Sequence, residues 1–141
     1  MSIEKVKAFF AAMGRENEVL EFSVSSATVE LAAVAVGVEP GMIAKTLSFS
    51  DNAEGCMLIV AAGDAKINNS AYKAQFHAKA KMLTPEQAVE LIGHAVGGVC
   101  PFALPEDVTV WLDESLLRFE TVYPAAGLVR YYPGNRLVLI N

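Results

Sequence analysis

The sequence predicts an α+β fold: a single domain with a mixed, mostly antiparallel, barrel-like sheet surrounded by helices. Three observations carry that expectation. The length, 141 residues, suits one domain, and no repeat, low-complexity tract or Pro/Gly/Ser-rich linker marks a boundary, so residues 1–141 read as one unit. Strand-like and helix-like segments are interspersed without the regular alternation that builds a parallel βαβ sheet. The composition, 53% hydrophobic and 19% charged, lies far from that of disordered chains. A domain of this size buries roughly 68–70% of the surface its unfolded chain exposes, enough for a core without cross-links.

The elements follow in order. Residues 2–13 place Ile3, Val6, Phe9, Phe10 and Met13 at helical spacing, with Gly14 set to end the helix. Glu18 to Phe22 reads as a short strand. Ser25, Ser26 and Thr28 offer N-caps for a helix over 29–36 that Gly37 closes. Pro40-Gly41 is a turn, and Ile43 to Phe49 is a strand rich in β-formers. Cys56 to Ala61 is an unbroken apolar run of strand length, the pattern of a central strand buried on both faces. Gly63-Asp64 turns the chain, and Asn68 or Asn69 caps a helix running to about His77. Thr84-Pro85-Glu86-Gln87 combines a capping threonine, proline at the first helical position and glutamine three residues on, so a helix runs from there to about Gly93. Val108 to Leu112 is a strand, Asp113 to Leu117 one helical turn, Glu120 to Tyr123 a strand, and Leu137 to Ile140 a final edge strand.

Composition and charge limit the function classes. No apolar stretch approaches the roughly 18 uncharged residues of a membrane span, and the N-terminus leads directly into mixed-charge sequence without a secretory-signal pattern. The expected compartment is the cytoplasm. There, Cys56 and Cys100, 44 positions apart, read as small buried hydrophobes and not as a disulfide. A net charge of −5 argues against a general nucleic-acid coat. A local patch remains: Lys66, Lys73, Lys79 and Lys81 fall in a stretch free of Asp and Glu, either a solvated face or a contact for phosphates.

Zinc-protease, P-loop, dinucleotide and serine-hydrolase motifs are absent. His77 and His94 have no Cys or carboxylate partners at ligand spacing, so neither a metal nor any other cofactor is expected. Two features carry chemistry. Lys45 stands alone in Met42-Ile43-Ala44-Lys45-Thr46-Leu47; a lysine in an apolar strand either snorkels to water or serves a pocket. The second is Gly93-His94-Ala95-Val96-Gly97-Gly98-Val99-Cys100-Pro101-Phe102. Paired glycines let a ligand approach the backbone, and Pro101 stiffens the loop. Such a loop aims N–H groups at one point as an oxyanion cradle, or is an ordinary tight turn.

Five segments stand in an order that resembles the YbaK family: Ser25 to Ala33, Ile43 to Leu47, Ala62 to Asn68, Gly93 to Phe102, and Thr121 to Gly127. The resemblance covers roughly residues 1–127. The family comprises YbaK and ProX-type trans-editing proteins and the editing domain inserted in many bacterial prolyl-tRNA synthetases. It implies an aminoacyl-tRNA deacylase that acts on the acceptor end of mischarged tRNA, proline tRNA carrying a small wrong amino acid in particular, with prolyl-tRNA synthetase as a further candidate partner. The family's lysine matches Lys45, and its GxxxP loop matches Gly97 to Pro101, which puts Gly97 and Gly98 beside Lys45 in catalysis. Thr46 and Asp113 match pocket positions. A lysine is ordinarily an ammonium at neutral pH, a poor base but a good charge partner, so Lys45 is assigned to electrostatic stabilisation; burial would instead make it a base.

Of the remaining residues, His94 and Cys100 lie at the loop. His94 reads as structural or as a substrate contact. Cys100 has no neighbour in sequence that would activate it, and a water-based hydrolysis needs no thiol. Asp64 reads as a turn residue, and Trp111 as core in preference to a base-stacking platform. The short apolar tail, Leu137 to Asn141, departs from the family's closing helix, leaving monomer and homodimer both open. Two rivals stand beside the deacylase: a non-catalytic tRNA- or nucleotide-binding module on the same pocket, and an interaction domain whose C-terminal strand is the working part.

Overall fold

The computed structural model describes residues 8–12, 14, 28–51, 55–93 and 103–124. Within them a four-stranded sheet curls into a half-barrel, in the order β3-β2-β1-β4. Strand β1 (Ile43–Ser50) and strand β2 (Cys56–Ala62) pair antiparallel from Ala44↔Ala62 to Ser50↔Cys56, as a short connection permits. Strand β3 (Thr109–Leu112) lies parallel to β2, and β4 (Tyr123–Pro124) parallel to β1. The β2–β3 pairing needs a long crossover. Helices α2 (Asn69–Phe76) and α3 (Pro85–Ile92) occupy it. The mixed sheet is present, its longest pairing antiparallel and the two flanking ones parallel.

Local chemistry explains the helix ends. Helix α1 (Val29–Val36) starts at Thr28, whose Oγ1 accepts from the Leu31 N–H at 3.1 Å, and stops at Gly37 with φ of 85°. Asn68 Oδ1 accepts from Ala71 N–H at 2.9 Å, and His77 ends α2 in the left-handed region, φ 59°. In α3 the Thr84 and Gln87 side chains form a reciprocal capping box, with bonds of 3.2 and 2.9 Å, and Gly93 closes the helix. Residues 8–12 are helical as well, and Gly14 turns the chain with φ of 70°. The segments expected at 18–22 and 137–140 lie outside the described residues.

Strand β2 is buried along its whole length because apolar layers cover both its faces. On one face Leu58 and Val60 join Ala44, Val110, Val122, Leu116 of the turn Glu114–Arg118, and Ala88 and Ile92 of α3. On the other, Met57 and Ile59 join Phe49 and Tyr72 of α2. Helix α1 packs Ala32 and Ala33 on Ile43, beside Tyr123.

One boundary moves. The strand expected at 120–123 is formed at Tyr123–Pro124, with a single bridge at Val122 before it, and the 3-10 turn runs on to Arg118, with Phe119 N–H still bonded back to Leu116 at 3.3 Å. Pro124, with no N–H to give, sits on the outermost strand among the described residues, where it costs least.

Candidate active site

Lys45 lies on β1 opposite Ala61 of β2, on the sheet face shared by Ile59 and Met57. Its side chain is half-buried, and its Nζ donates to the Ala65 carbonyl. The tight turn Gly63-Asp64 produces that contact: Ala65 N–H returns to Ala62 O at 3.0 Å, folding the carbonyl of residue 65 back over the end of β1. An ammonium has three N–H donors, and Ala65 occupies one.

The same turn carries Asp64. Both carboxylate oxygens accept from the Arg118 guanidinium, Oδ2 at 3.3 Å from one amino nitrogen and Oδ1 closer still from the other. This fork holds the Asp64 carboxyl below its ordinary range, and the Lys45 charge pulls the same way. Arg118 also lies over the Phe119 ring at 4.8 Å. Gly41 makes room: a Cβ there would stand 2.9 Å from Phe119 Cζ and 3.0 Å from Asp64 Oδ2. Lysine, carboxylate and guanidinium form an alternating charge cluster at the open end of β1 and β2.

Beside it runs a groove of about 860 Å³. Ala61 and Lys66 border it next to Lys45; Tyr72, Phe76 and Trp111 supply aromatic surface; Asp113 and Ser115 close the far wall. Asp113 is fixed there, its Oδ2 accepting from Ser115 N–H at 3.0 Å and its own N–H bonding Val60 O at 2.8 Å. Ser115 Oγ accepts from Ala62 N–H at 3.0 Å, which ties that wall to the end of β2.

A half-buried lysine next to a groove, steadied by a turn carbonyl, can present positive charge to a developing oxyanion. The sequence itself now decides the lineage. A family profile described as "Aminoacyl-tRNA editing domain" matches residues 24–133. The chain belongs to that family. A Bacillus subtilis (strain 168) relative, the uncharacterized protein YwhH, is 52% identical over 127 residues, covering 90% of this chain and 81% of that protein. A solved structure described as a candidate trans-editing enzyme for prolyl tRNA synthetase superposes with a TM-score of 0.85 at 31% identity, covering 98% of this chain and 90% of that one. The proline–tRNA ligase of Lysinibacillus sphaericus (strain C3-41) is 33% identical over 90 residues, 63% of this chain but only 16% of the ligase. The resemblance read from the five segments agrees with this family.

Within this editing domain the expected site residues fall into three groups. Asp113 and Lys66 line the groove; Lys45 does not line it but stands next to it, paired with Ala61, which does. Thr46 pairs with Val60 and lies on the opposite sheet face from Lys45, as successive strand residues must. Lys73, Lys79 and Lys81 are exposed but do not line the groove. Gly97, Gly98, Pro101, His94 and Cys100 lie outside the described residues. Cys56 is a free, buried thiol whose pKa burial pushes up, with Asp107 and Asp51 adding to the effect, which suits a packing role.

One reading needs correction and one is extended. Trp111 is not core: it is 40% exposed on the groove, with its ring at right angles to Phe76, centroids 5.1 Å apart. Asp64 is a turn residue and also the charge partner of Arg118 beside Lys45. Nothing local in the sequence distinguishes Arg118; its importance comes from a contact 54 positions away. Among the described residues, no three His, Cys, Asp or Glu side chains cluster as metal ligands, and no helix is long and apolar enough to cross a membrane.

Proposed function

We propose that this single-domain chain is a trans-acting deacylase that hydrolyses the ester of mischarged tRNA in the cytoplasm, with proline tRNA carrying a small wrong amino acid as its substrate. One observation carries the reading: in a chain of the aminoacyl-tRNA editing family, Lys45 is the lysine of an apolar strand, held half-buried against the Ala65 carbonyl at the edge of a groove. In the proposed reaction a water attacks the ester carbonyl carbon. The carbonyl electron pair moves onto oxygen, and the Lys45 ammonium stabilises that oxyanion, with the Gly97 and Gly98 amides as further donors. When the tetrahedral adduct collapses, the acyl–oxygen bond to the terminal ribose breaks and the ribose oxygen takes a proton from the attacking water, releasing a free amino acid and an intact tRNA. The ester is already activated, so positioning and charge do most of the work.

Deacylation of tRNAs mischarged with alanine, cysteine, serine and 2-aminobutyrate, followed for wild type and Lys45→Ala, tests the reading. Loss of one oxyanion donor typically costs a hundredfold or more in rate, so the variant should fall by about that factor while keeping its fold by circular dichroism. Undiminished turnover by Lys45→Ala would remove the lysine from the mechanism. The bond from Lys45 to Ala65 favours one rival, a binding module in which the lysine only braces the turn. That rival expects tRNA binding to survive Lys45→Ala and no amino acid to be released by either protein.

A further inference from the structure

An aromatic file runs from the core to the surface of the groove. Phe49 and Tyr72 have ring centroids 5.2 Å apart, Tyr72 and Phe76 4.7 Å, and Phe76 and Trp111 5.1 Å. The first two rings are buried, Phe76 is half-buried, and Trp111 is 40% exposed. A large indole left in water at a groove, on a strand whose other face packs into the core through Val110, calls for an occupant.

The register places it relative to Lys45. Lys45 pairs with Ala61, and Ile59, two residues back on β2, pairs with Trp111. Paired residues share a face, so both side chains rise on the groove side. Two strand spacings across and two residues along put their Cα atoms about 12 Å apart. The two long side chains reach into that gap, and one nucleoside bridges the rest. Between them the groove offers the Asn68 and Gln75 amides, with the cations Lys66 and Arg118 at its margin. Asp113 and Glu114 also line it, and Arg118 is paired with Asp64. The lining therefore carries little net positive charge. Recognition by a flat π-surface fits this groove better than recognition of phosphates, because stacking needs no charge excess.

We infer that Trp111, braced by Phe76, is the platform on which the 3′-terminal nucleobase of the RNA acceptor end stacks while its aminoacyl ester reaches Lys45. This rests on the deacylase reading for its orientation, since Lys45 marks the ester end. It goes beyond that reading in assigning the nucleobase a site on a residue that does not take part in the chemistry. The groove volume, about 860 Å³, is in the range of roughly 300–1,000 Å³ that accommodates ligands of this size.

Trp111 is the chain's single tryptophan, so its own emission reports occupancy without any turnover. Uncharged tRNA is titrated into the protein, and so is the same tRNA lacking its terminal adenosine, with binding followed independently by anisotropy of a fluorophore on the RNA. The expected result is quenching by the intact tRNA and little by the shortened one. Affinity should drop about 5- to 150-fold in Trp111→Ala, the stacking range for one base, and hold nearly to wild type in Trp111→Phe. The drop should be the same at low and high salt, which a lost phosphate contact would not give. Quenching that is equal with both RNAs, binding with unchanged emission, or no binding of either RNA overturns the inference. Base-specific quenching without any deacylation would keep the platform and discard the enzyme. Deacylation unaffected by Trp111→Ala would do the reverse.

Discussion

Asp64 and Arg118 show how much a single residue's role depends on its tertiary neighbours. The pair is exposed, so its value lies less in stability than in setting the charge beside Lys45: Arg118 occupies the carboxylate in two directions, leaving the Lys45 ammonium directed to the Ala65 carbonyl. The pair has a pH signature. Because the folded Asp64 carboxyl titrates below its ordinary value of 3.8, the fold favours the ionised form. The stabilisation is complete above that value and fades as pH falls through the lower folded one. Urea midpoints of wild type and Asp64→Asn should therefore differ by the same amount at pH 7 and pH 5, and the gap should narrow as pH falls below 3.8; a gap that stays constant as pH falls below 3.8 would deny the shift. Lys45 could be singled out from sequence because a charge in an apolar strand is a local anomaly. Arg118 could not, since an arginine at the end of a polar helical turn is ordinary until the chain brings Asp64 to it. Trp111 is different: in Val-Thr-Val-Trp-Leu the alternation of a strand already sets the indole on the face opposite Val108 and Val110, with Thr109, and its apolar character masks that it faces the groove.

At the scale of elements, what could be read in advance was what short-range chemistry decides. Thr28, Asn68 and Thr84 each start a helix through their own side-chain oxygen, and residues that cap locally announce themselves locally. Thr84→Ala should cost about 1 kcal/mol, within the usual range of roughly 0.5–2 for a lost cap, read from the shift in urea midpoint at constant slope. The turn after β2 is the more consequential element. A Cβ at Gly63 would stand 2.2 Å from the Pro40 carbonyl oxygen, 2.6 Å from Val29 Cγ1 and 2.9 Å from the Ile43 carbonyl oxygen. Two of those atoms are backbone and cannot swing aside. Gly63→Ala should sit at or above the upper end of the overpacking range, about 3 kcal/mol. It should also lower deacylation beyond its effect on stability, because the displaced turn carries the Ala65 carbonyl that steadies Lys45. Activity that tracks only the folded fraction would detach the turn from the site. The strand shift to Tyr123–Pro124 belongs to the same scale: the 3-10 turn claims Phe119 through its N–H bond to Leu116 O, which delays the start of the strand.

For the molecule as a whole, charge and topology act together. Which strands pair in parallel depended on where α2 and α3 carry the chain before β3, and a one-dimensional pattern of apolar residues holds no record of that path. Net charge was legible at once, and its consequence is now spatial. A chain at −5 repels a polyanion overall, so tRNA has to be met by a localised run of cations. Lys66 borders the groove, whereas Lys81 lies against Ser50, its carbonyl accepting from Ser50 N–H at 2.9 Å. Ser50 is five residues along β1 from Lys45, about 17 Å at strand rise. Lys66 and Lys81 are thus set apart along the sheet, and Lys73 and Lys79 are exposed as well; cations spread over this length would suit a duplex acceptor stem better than a single nucleotide. Each phosphate contact in a duplex contributes about 0.9 to the slope of log affinity against log salt. Replacing Lys66, Lys73, Lys79 and Lys81 together with glutamine should flatten that slope by roughly 3–4 for whole tRNA. The turnover number at saturating substrate should stay near wild type, because none of the four touches the reacting ester. An unchanged slope would place the acceptor stem on another face of the molecule, and a collapse of the turnover number with the slope intact would assign one of these lysines to the chemistry.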